Sequence, residues 1–282
     1  MTDGPAIDVR GLRKAYGSTV AVESLDLAVA PGEVFALLGP NGAGKTTTLE
    51  ILEGYRRADA GTVAVLGENP QRAGAAWRSR IGIVLQSTGE FDELTVAEVV
   101  HHFATYYRNA DDPDAVIERV GLTDKRGTRT RRLSGGQKRR LDVALGIVGR
   151  PELLFLDEPT TGFDPEARRG LWEVIRALAA AGTTILLTTH YLDEAEALAD
   201  RVGVLSAGRL LAVAAPAELG DRRRARATVR WIGPDGPEQE ETDTPAALVG
   251  SLAERFTGEV PGLTVTRPTL EDVYLSMIGA GR

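Results

Sequence analysis

An α/β fold with a mainly parallel sheet is what this sequence predicts, and three stretches carry the prediction. Val34–Leu38 is an unbroken apolar run, as expected of a strand buried on both faces. It passes through a Gly-rich turn into Lys45–Glu53, where Leu49 and Leu52 keep helical spacing. Leu153–Leu156 is a second apolar run, and it ends in two carboxylates. Thr184–Thr188 reads as a further strand, set between the helical segments Leu171–Ala181 and Leu192–Ala199. Strands alternating with helices in this way build parallel sheets.

The remaining elements follow in chain order. Ile7–Val9 and the alternating Val20, Val22, Leu25, Leu27 and Val29 read as half-buried strands, which predicts an antiparallel layer at the N-terminal end. Gly61–Gly67 reads as a hairpin arm and Ile81–Leu85 as another apolar strand. From Leu94 the texture turns polar and helical. Thr95 with Glu98 three residues on forms a capping-box pattern, Asp114–Val120 continues as helix, and Leu141–Val148 is an apolar helix. Together these predict a helical subdomain over about 87–149. Val202–Leu205 and Arg209–Val213 read as a hairpin turning at Ala207-Gly208. Beyond Ala217 the pattern loosens, and a boundary near Gly220 divides the chain into a domain of 1–220 and an accessory α+β region of 221–282. In that region Thr228–Ile232 and Leu263–Thr266 read as strands and Gly233–Thr244, rich in Gly, Pro and acid, as a loose segment. A last helix is capped by Thr269 with Asp272. No internal repeat is found, so the core occurs once.

Composition narrows the class of function. Of 282 residues, 43% are hydrophobic and 26% charged, enough to bury a sizeable core. The net charge of −7 gives no electrostatic footprint for nucleic acid. The two basic runs, Arg126–Arg132 and Arg222–Arg226, read as solvated faces. There is no cysteine, hence no disulfide and no thiolate metal site. Met1–Gly11 lacks the basic-then-apolar order of a secretory signal, and no apolar stretch approaches the length of a membrane span. Work at a membrane would therefore need another polypeptide.

The chemistry lies in the turns. Gly39-Pro40-Asn41-Gly42-Ala43-Gly44-Lys45-Thr46 fits G-x-x-x-x-G-K-[ST] in full, between a strand and a helix as the motif requires. Its glycines let backbone N–H groups face phosphate oxygens, and the helix N-terminus adds its positive end. Lys45 is expected at the β- and γ-phosphates of ATP, Thr46 on Mg²⁺, and Thr47 at the α-phosphate. A chance Gly-rich turn would not supply both the Lys-Thr pair and its context. In P-loop enzymes a strand such as Leu153–Leu156 lies beside the P-loop strand, with its terminal Asp157 completing the Mg²⁺ shell. The adjacent Glu158 would accept a proton from the attacking water. Leu133-Ser134-Gly135-Gly136-Gln137 opens a further helix, a second anion-binding N-terminus that a subunit with one nucleotide does not need.

This last segment, upstream of the Asp-Glu strand, resembles the LSGGQ signature of the ABC ATPase family, and the likeness spans roughly Ile7–Leu219. The resemblance implies a head-to-tail dimer in which Ser134, Gly135, Gly136 and Gln137 close on the ATP held by a second subunit. It implies that Tyr16 stacks on adenine, that Gln86 senses Mg²⁺ and the γ-phosphate, that His190 contacts the γ-phosphate, and that Asp164 crosses the dimer interface. Phe163 departs from the leucine more common in the family, which bears on local packing only. The histidines His101 and His102 match no motif and read as surface residues. Ser87–Leu94 is where the family docks a membrane partner. Pro268–Leu275 is similar to the C-terminal motif of drug- and antibiotic-export subunits that pair with ABC-2 type permeases. A peripheral place on the cytoplasmic face of the membrane follows from that pairing. The rival is a soluble ABC ATPase of translation or DNA repair, but the tandem cassettes or long coiled-coil insertion usual there are missing, and so is basic charge. A catalytically silent module would need a damaged motif, and every lysine, carboxylate and histidine expected is present.

Overall fold

The computed structural model describes residues 4–84, 91–222 and 225–279. Gln86 and Ser87 to Glu90 of the expected docking loop lie outside the described residues. The chain divides into two compact units, Met1–Val213 and Ala214–Arg282.

The first unit begins with β1 (Ile7–Tyr16), which turns tightly into β2 (Thr19–Val29), then β3 (Val34–Leu38) and α1 (Lys45–Leu52). β4 (Ala60–Val65) joins β1 and β2 in a three-stranded antiparallel sheet of order β2-β1-β4. After α2 (Ala75–Arg78) and β5 (Ile81–Val84) come α3 (Val96–Ala104), α4 (Pro113–Arg119) and α5 (Gly135–Ile147). Then β6 (Leu153–Asp157), α6 (Pro165–Ala180), β7 (Thr184–Thr189), α7 (Leu192–Leu198), β8 (Arg201–Ser206) and β9 (Arg209–Ala214) complete the α/β core.

The second sheet has six strands in the order β5-β6-β7-β3-β8-β9, parallel from β5 through β8. Ala207 and Gly208, with φ of 47° and 77°, make the turn between β8 and β9, as the sequence suggests for a two-residue hairpin. The expectation that the Asp-Glu strand lies beside the P-loop strand is corrected: β7 intervenes between β6 and β3. Parallel register still brings the two ends level, because Asp157 pairs with Thr188 and Leu38 with Thr189.

The main core fills the space enclosed by the antiparallel layer, α1 and the parallel sheet. Ile7, Leu12, Leu25, Phe35, Leu49, Leu52, Trp77 and Phe155 are all within it. The Trp77 indole N–H does not go unpaired, since it donates to Val65 O at 2.8 Å. The helices between β5 and β6 keep their own apolar side: Val96, Val99, Val100, Val116, Ile117 and Leu141 are buried. Thr95 forms the expected capping box on α3, with Glu98 N–H donating to its Oγ1 and its own N–H donating to Glu98 Oε2. The helix expected at Leu171–Ala181 starts six residues earlier, at Pro165, because Asp164 caps it and a proline suits the first turn.

In the second unit the expected loose segment Gly233–Thr244 is corrected to part of a hairpin. β10 (Ala227–Gly233) pairs antiparallel with β11 (Gly236–Thr242) on one side and β12 (Thr264–Thr266) on the other. An unexpected helix, α8 (Pro245–Arg255), covers this sheet, and Val229, Trp231, Leu252 and Val260 form a small core beneath it. Gln239, Glu240 and Glu241 obscured the strand because its side chains are mostly exposed, leaving no alternation to read. α9 (Leu270–Gly279) is capped by Thr269 and Asp272 as expected. A methyl at Gly220 would lie 2.4 Å from Val273 Cγ1, so only glycine lets the turn at Leu219–Asp221 sit against α9.

Phe155 is fully buried on the strand that carries the carboxylates. Phe155→Ala is expected to destabilise the first unit by about 3–5 kcal/mol through lost transfer energy and the cavity left behind. Urea denaturation followed by tryptophan fluorescence measures it.

Candidate functional site

The Gly39–Gly44 loop is built where only glycine fits. Gly44 has φ of 105° at the N-cap of α1, and a methyl there would stand 2.3 Å from Ala21 O. A methyl on Gly39 would stand 2.4 Å from Leu205 O. The loop is thus wedged between β2 and the end of β8, and its following N–H groups face outward from the helix start. Lys45 is 4% exposed and folds back over the loop, donating to Gly39 O at 2.8 Å and Pro40 O at 3.2 Å. Its Nζ is also 3.4 Å from Glu158 Oε1.

Beside it, Thr46 Oγ1 donates to Asp157 Oδ2 at 3.3 Å, and Thr188 Oγ1 donates to Asp157 Oδ1 at 2.5 Å. The hydroxyl of α1 and the carboxylate of β6 therefore converge, one strand apart. Glu158 follows with φ of 44°, a conformation rare outside glycine, and such strain concentrates at functional sites. Its N–H donates to Thr188 Oγ1 at 3.0 Å. Its Oε2 accepts from Thr161 Oγ1 at 3.2 Å and lies 3.3 Å from His190 Nδ1 without hydrogen-bond geometry. Burial pushes the Glu158 carboxyl up, but Lys45 and His190 together outweigh it and hold the group below the usual carboxylate range. It is ionised at neutral pH, as a proton acceptor must be.

The sequence-predicted residues divide by what the structure brings together. Lys45, Thr46, Asp157, Glu158 and His190 form one cluster at the carboxyl ends of β3, β6 and β7. Tyr16 ends β1 at its turn into β2, partly exposed, with Arg56 and Lys14 over its ring at 5.2 and 5.6 Å. Ser134 caps α5, and it and Gln137 bond each other in a capping box. Ser134 and Gly135 are exposed. A methyl on Gly136 would be 3.2 Å from Ala167 Cβ and 3.9 Å from the Phe163 ring, so Phe163 packs beside the second glycine of the signature. Asp164 Oδ1 accepts from Ala167 N–H at 2.8 Å as the cap of α6. Gln86 lies outside the described residues. His101 and His102 are exposed, His101 beside Asp114 at 3.0 Å.

Two supporting residues escaped sequence reading. Arg139 of α5 is buried, donating from Nη2 to Asp157 O at 2.6 Å and from Nε to Pro159 O at 3.1 Å. It thereby grips the backbone on both sides of Glu158. Glu194 of α7, fully buried, accepts from Thr160 Oγ1 at 2.8 Å and Trp172 Nε1 at 3.2 Å, and burial raises its carboxyl. Within the run Lys138-Arg139-Arg140 nothing separates a buried arginine from a solvated one.

A family model described as ABC transporter matches residues 22–161. The chain is 42% identical to a Nod factor export ATP-binding protein I of Cupriavidus metallidurans, with 97% of each chain covered. It is 38% identical to daunorubicin resistance ATP-binding protein DrrA3 of Streptomyces coeruleorubidus, over 98% of this chain and 97% of the relative. Among solved structures it resembles cbiO1 of Clostridium perfringens, part of the ABC transporter complex cbiONQ. That likeness has a TM-score of 0.71 and 28% identity over 78% of this chain and 92% of the other. Among the described residues no helix is long and apolar enough to cross a membrane.

Because Arg139 fixes the backbone that bears Glu158, Arg139→Met is expected to lower steady-state ATP hydrolysis by about 10- to 100-fold, as small misplacements of a reacting group do. Nucleotide affinity should change far less. A coupled ATPase assay alongside titration with a fluorescent ATP analogue separates the two.

Proposed function

The chain belongs to the ABC transporter family of ATP-binding subunits, and from that premise we propose that its ATPase activity powers export of a drug-like or other amphipathic compound through a separate membrane protein. The export reading is supported by end-to-end similarity to relatives named for Nod factor export and daunorubicin resistance. The observation that carries the hydrolytic mechanism is the placement of Glu158 between Lys45 and His190.

ATP binds at the Gly39–Thr47 loop, where backbone N–H groups and the positive end of α1 meet its phosphates. Lys45 turns from the loop carbonyls to the β- and γ-phosphates, and Tyr16 stacks on the adenine. Thr46 and Asp157 offer a hydroxyl and a carboxylate oxygen 3.3 Å apart, the hard-oxygen chemistry that Mg²⁺ takes alongside phosphate and water. These two, with Gln86, would hold the ion, which when bound neutralises charge across the β- and γ-phosphates. Glu158 accepts a proton from the attacking water, and His190 orients that carboxylate and contacts the γ-phosphate. Catalysis is then positioning and electrostatics, as phosphoryl transfer demands.

A second copy of the subunit completes each site. Among the described residues, Ser134 and Gln137 side chains bond only within their own capping box, leaving the start of α5 to meet the partner's nucleotide. Gly135 and Gly136 allow close approach, and Asp164 stands at the same interface. The membrane protein is of the ABC-2 type, which places this subunit on the cytoplasmic face, with 1–220 as the ATP-binding domain and 221–282 as the accessory region.

Glu158→Gln is expected to reduce turnover by about 10²- to 10⁴-fold with ATP affinity near wild type, and to trap an ATP-bound dimer seen by light scattering after size-exclusion chromatography. Near-normal hydrolysis would remove Glu158 from the mechanism. Lys45→Ala should abolish ATP binding by the single subunit, whereas Ser134→Arg should preserve it and block only dimer closure and turnover. Loss of monomer ATP binding in Ser134→Arg would sink the shared-site arrangement.

A further inference from the structure

A histidine ring is a soft element in a site that needs it held. The torsion that turns an imidazole about its Cβ–Cγ bond has broad minima, so the tilt of the ring is set by what touches it. At His190 the Nδ1 side supplies no such contact. That nitrogen is buried with no hydrogen-bond partner among the described residues, and Glu158 Oε2 at 3.3 Å lacks hydrogen-bond geometry. The ring packs instead against the side chain that follows it. His190 and Tyr191 bring their ring centroids to 4.1 Å with the planes 40° apart.

Tyr191 is itself held from two sides. It is the N-cap residue of α7, and its N–H donates to Thr189 Oγ1 at 2.9 Å. The Arg168 guanidinium lies over its ring, 4.6 Å from the centroid. Arg168 is anchored in turn to both helices. Its Nη1 donates to Asp193 Oδ2 of α7 at 2.8 Å, and its backbone N–H donates to Asp164 O, at the cap of α6, at 3.0 Å. Its Nε is buried without a hydrogen-bond partner. A guanidinium partly stripped of water gains more from an aromatic face than a solvated one does. Contacts thus run unbroken from Asp164 through Arg168 and Tyr191 to His190 and the Glu158 carboxylate.

We propose that Tyr191 and Arg168 are positioning residues for His190: the tyrosine ring sets the tilt of the imidazole, and the guanidinium holds the tyrosine. The proposal rests on the part given above to His190, contact with the γ-phosphate and orientation of Glu158, and it names what keeps that ring in place. The two residues act through His190, with no contact to the nucleotide required of them. Because Arg168 stands one turn into α6, the orientation of the histidine depends on the helix that Asp164 caps at the subunit interface, and not on β7 alone.

The test uses the full-length subunit with two readouts, steady-state ATP hydrolysis and the imidazole Hε1 resonances in proton NMR. The chain has three histidines, and the resonance missing from His190→Ala is that of His190. Tyr191→Ala is expected to lower kcat about 10- to 100-fold with KM for ATP changed less than about twofold, because a misplaced reacting group costs rate rather than binding. Its His190 resonance should lose the ring-current displacement that the tyrosine imposes. Tyr191→Phe keeps the ring and should bring both kcat and the resonance back near wild type. Arg168→Met should move the resonance in the same direction as Tyr191→Ala and lower kcat by about 3- to 10-fold. ATP binding by each variant reports that it is folded. Should the alanine variant fail to fold, Tyr191→Leu, which fills the volume without a ring, takes its place with the same expectations. A kcat within about twofold of wild type in the folded ringless variant overturns the inference, and so does a Tyr191→Phe as slow as that variant. Full turnover in His190→Ala takes down the role of His190 itself. A slow His190→Ala beside a normal Tyr191→Ala removes the inference alone.

Discussion

Everything at the site depends on the level at which the parallel strands end. β6, β7 and β3 run in one direction with Asp157 opposite Thr188 and Leu38 opposite Thr189, so the turns that follow them open at one height. A slip of one residue in β6 would turn Asp157 to the other face of the sheet and part it from Thr46 and Thr188. Both faces of these strands are buried, so burial alone resists such a slip less than it would in an alternating strand. The polar contacts at their ends therefore do the fixing: Thr188 bonds both the Asp157 side chain and the Glu158 N–H, while Arg139 holds the Asp157 and Pro159 carbonyls.

Three glutamates, Glu158 half-buried and Glu53 and Glu194 buried, show how the same chain treats charge differently according to task. Glu158 is flanked by Lys45 and His190, and their attraction outweighs the desolvation that burial imposes. Glu53 is buried with acids for neighbours and is driven the other way. Glu194 is an intermediate case, disfavoured by burial yet supplied with hydroxyl and indole donors that tie the loop after Glu158 to α6 and α7. An acid with donors builds structure, and an acid with cations is kept ready to accept a proton.

Much of this was legible in the sequence because the informative residues are ones whose chemistry demands a backbone shape. Gly44 and Gly39 mark close backbone approaches, the paired Thr95 and Glu98 mark a helix start, and Ala207-Gly208 marks a turn. The strand order was not legible, since nothing in Leu153–Asp157 says that β7 will lie between it and β3. β11 was missed because a strand of mostly exposed polar residues carries no hydrophobic period, and α8 because Leu252 is its one buried residue, too little for a clear helical period. Arg139 and Glu194 were missed for a different reason: a charged residue reads as surface until the backbone carbonyls or donors that enclose it are placed by the fold.

The eight residues of α1 draw these strands together. Its N-terminal turn holds the lysine and threonine of the P-loop, and the buried Glu53 is its C-cap. Thr48 at its middle is buried, donating back to Gly44 O at 2.9 Å, and Leu49, Ile51 and Leu52 are locked in the main core. A helix of this length held along one side by close packing moves as a rigid piece rather than bending. Asp157 serves both of its ends, being within Coulombic reach of Glu53 while bonded to Thr46. Positive charge brought to Thr46 and Asp157 lowers the negative potential that Glu53 feels, so the two ends of α1 are electrostatically linked.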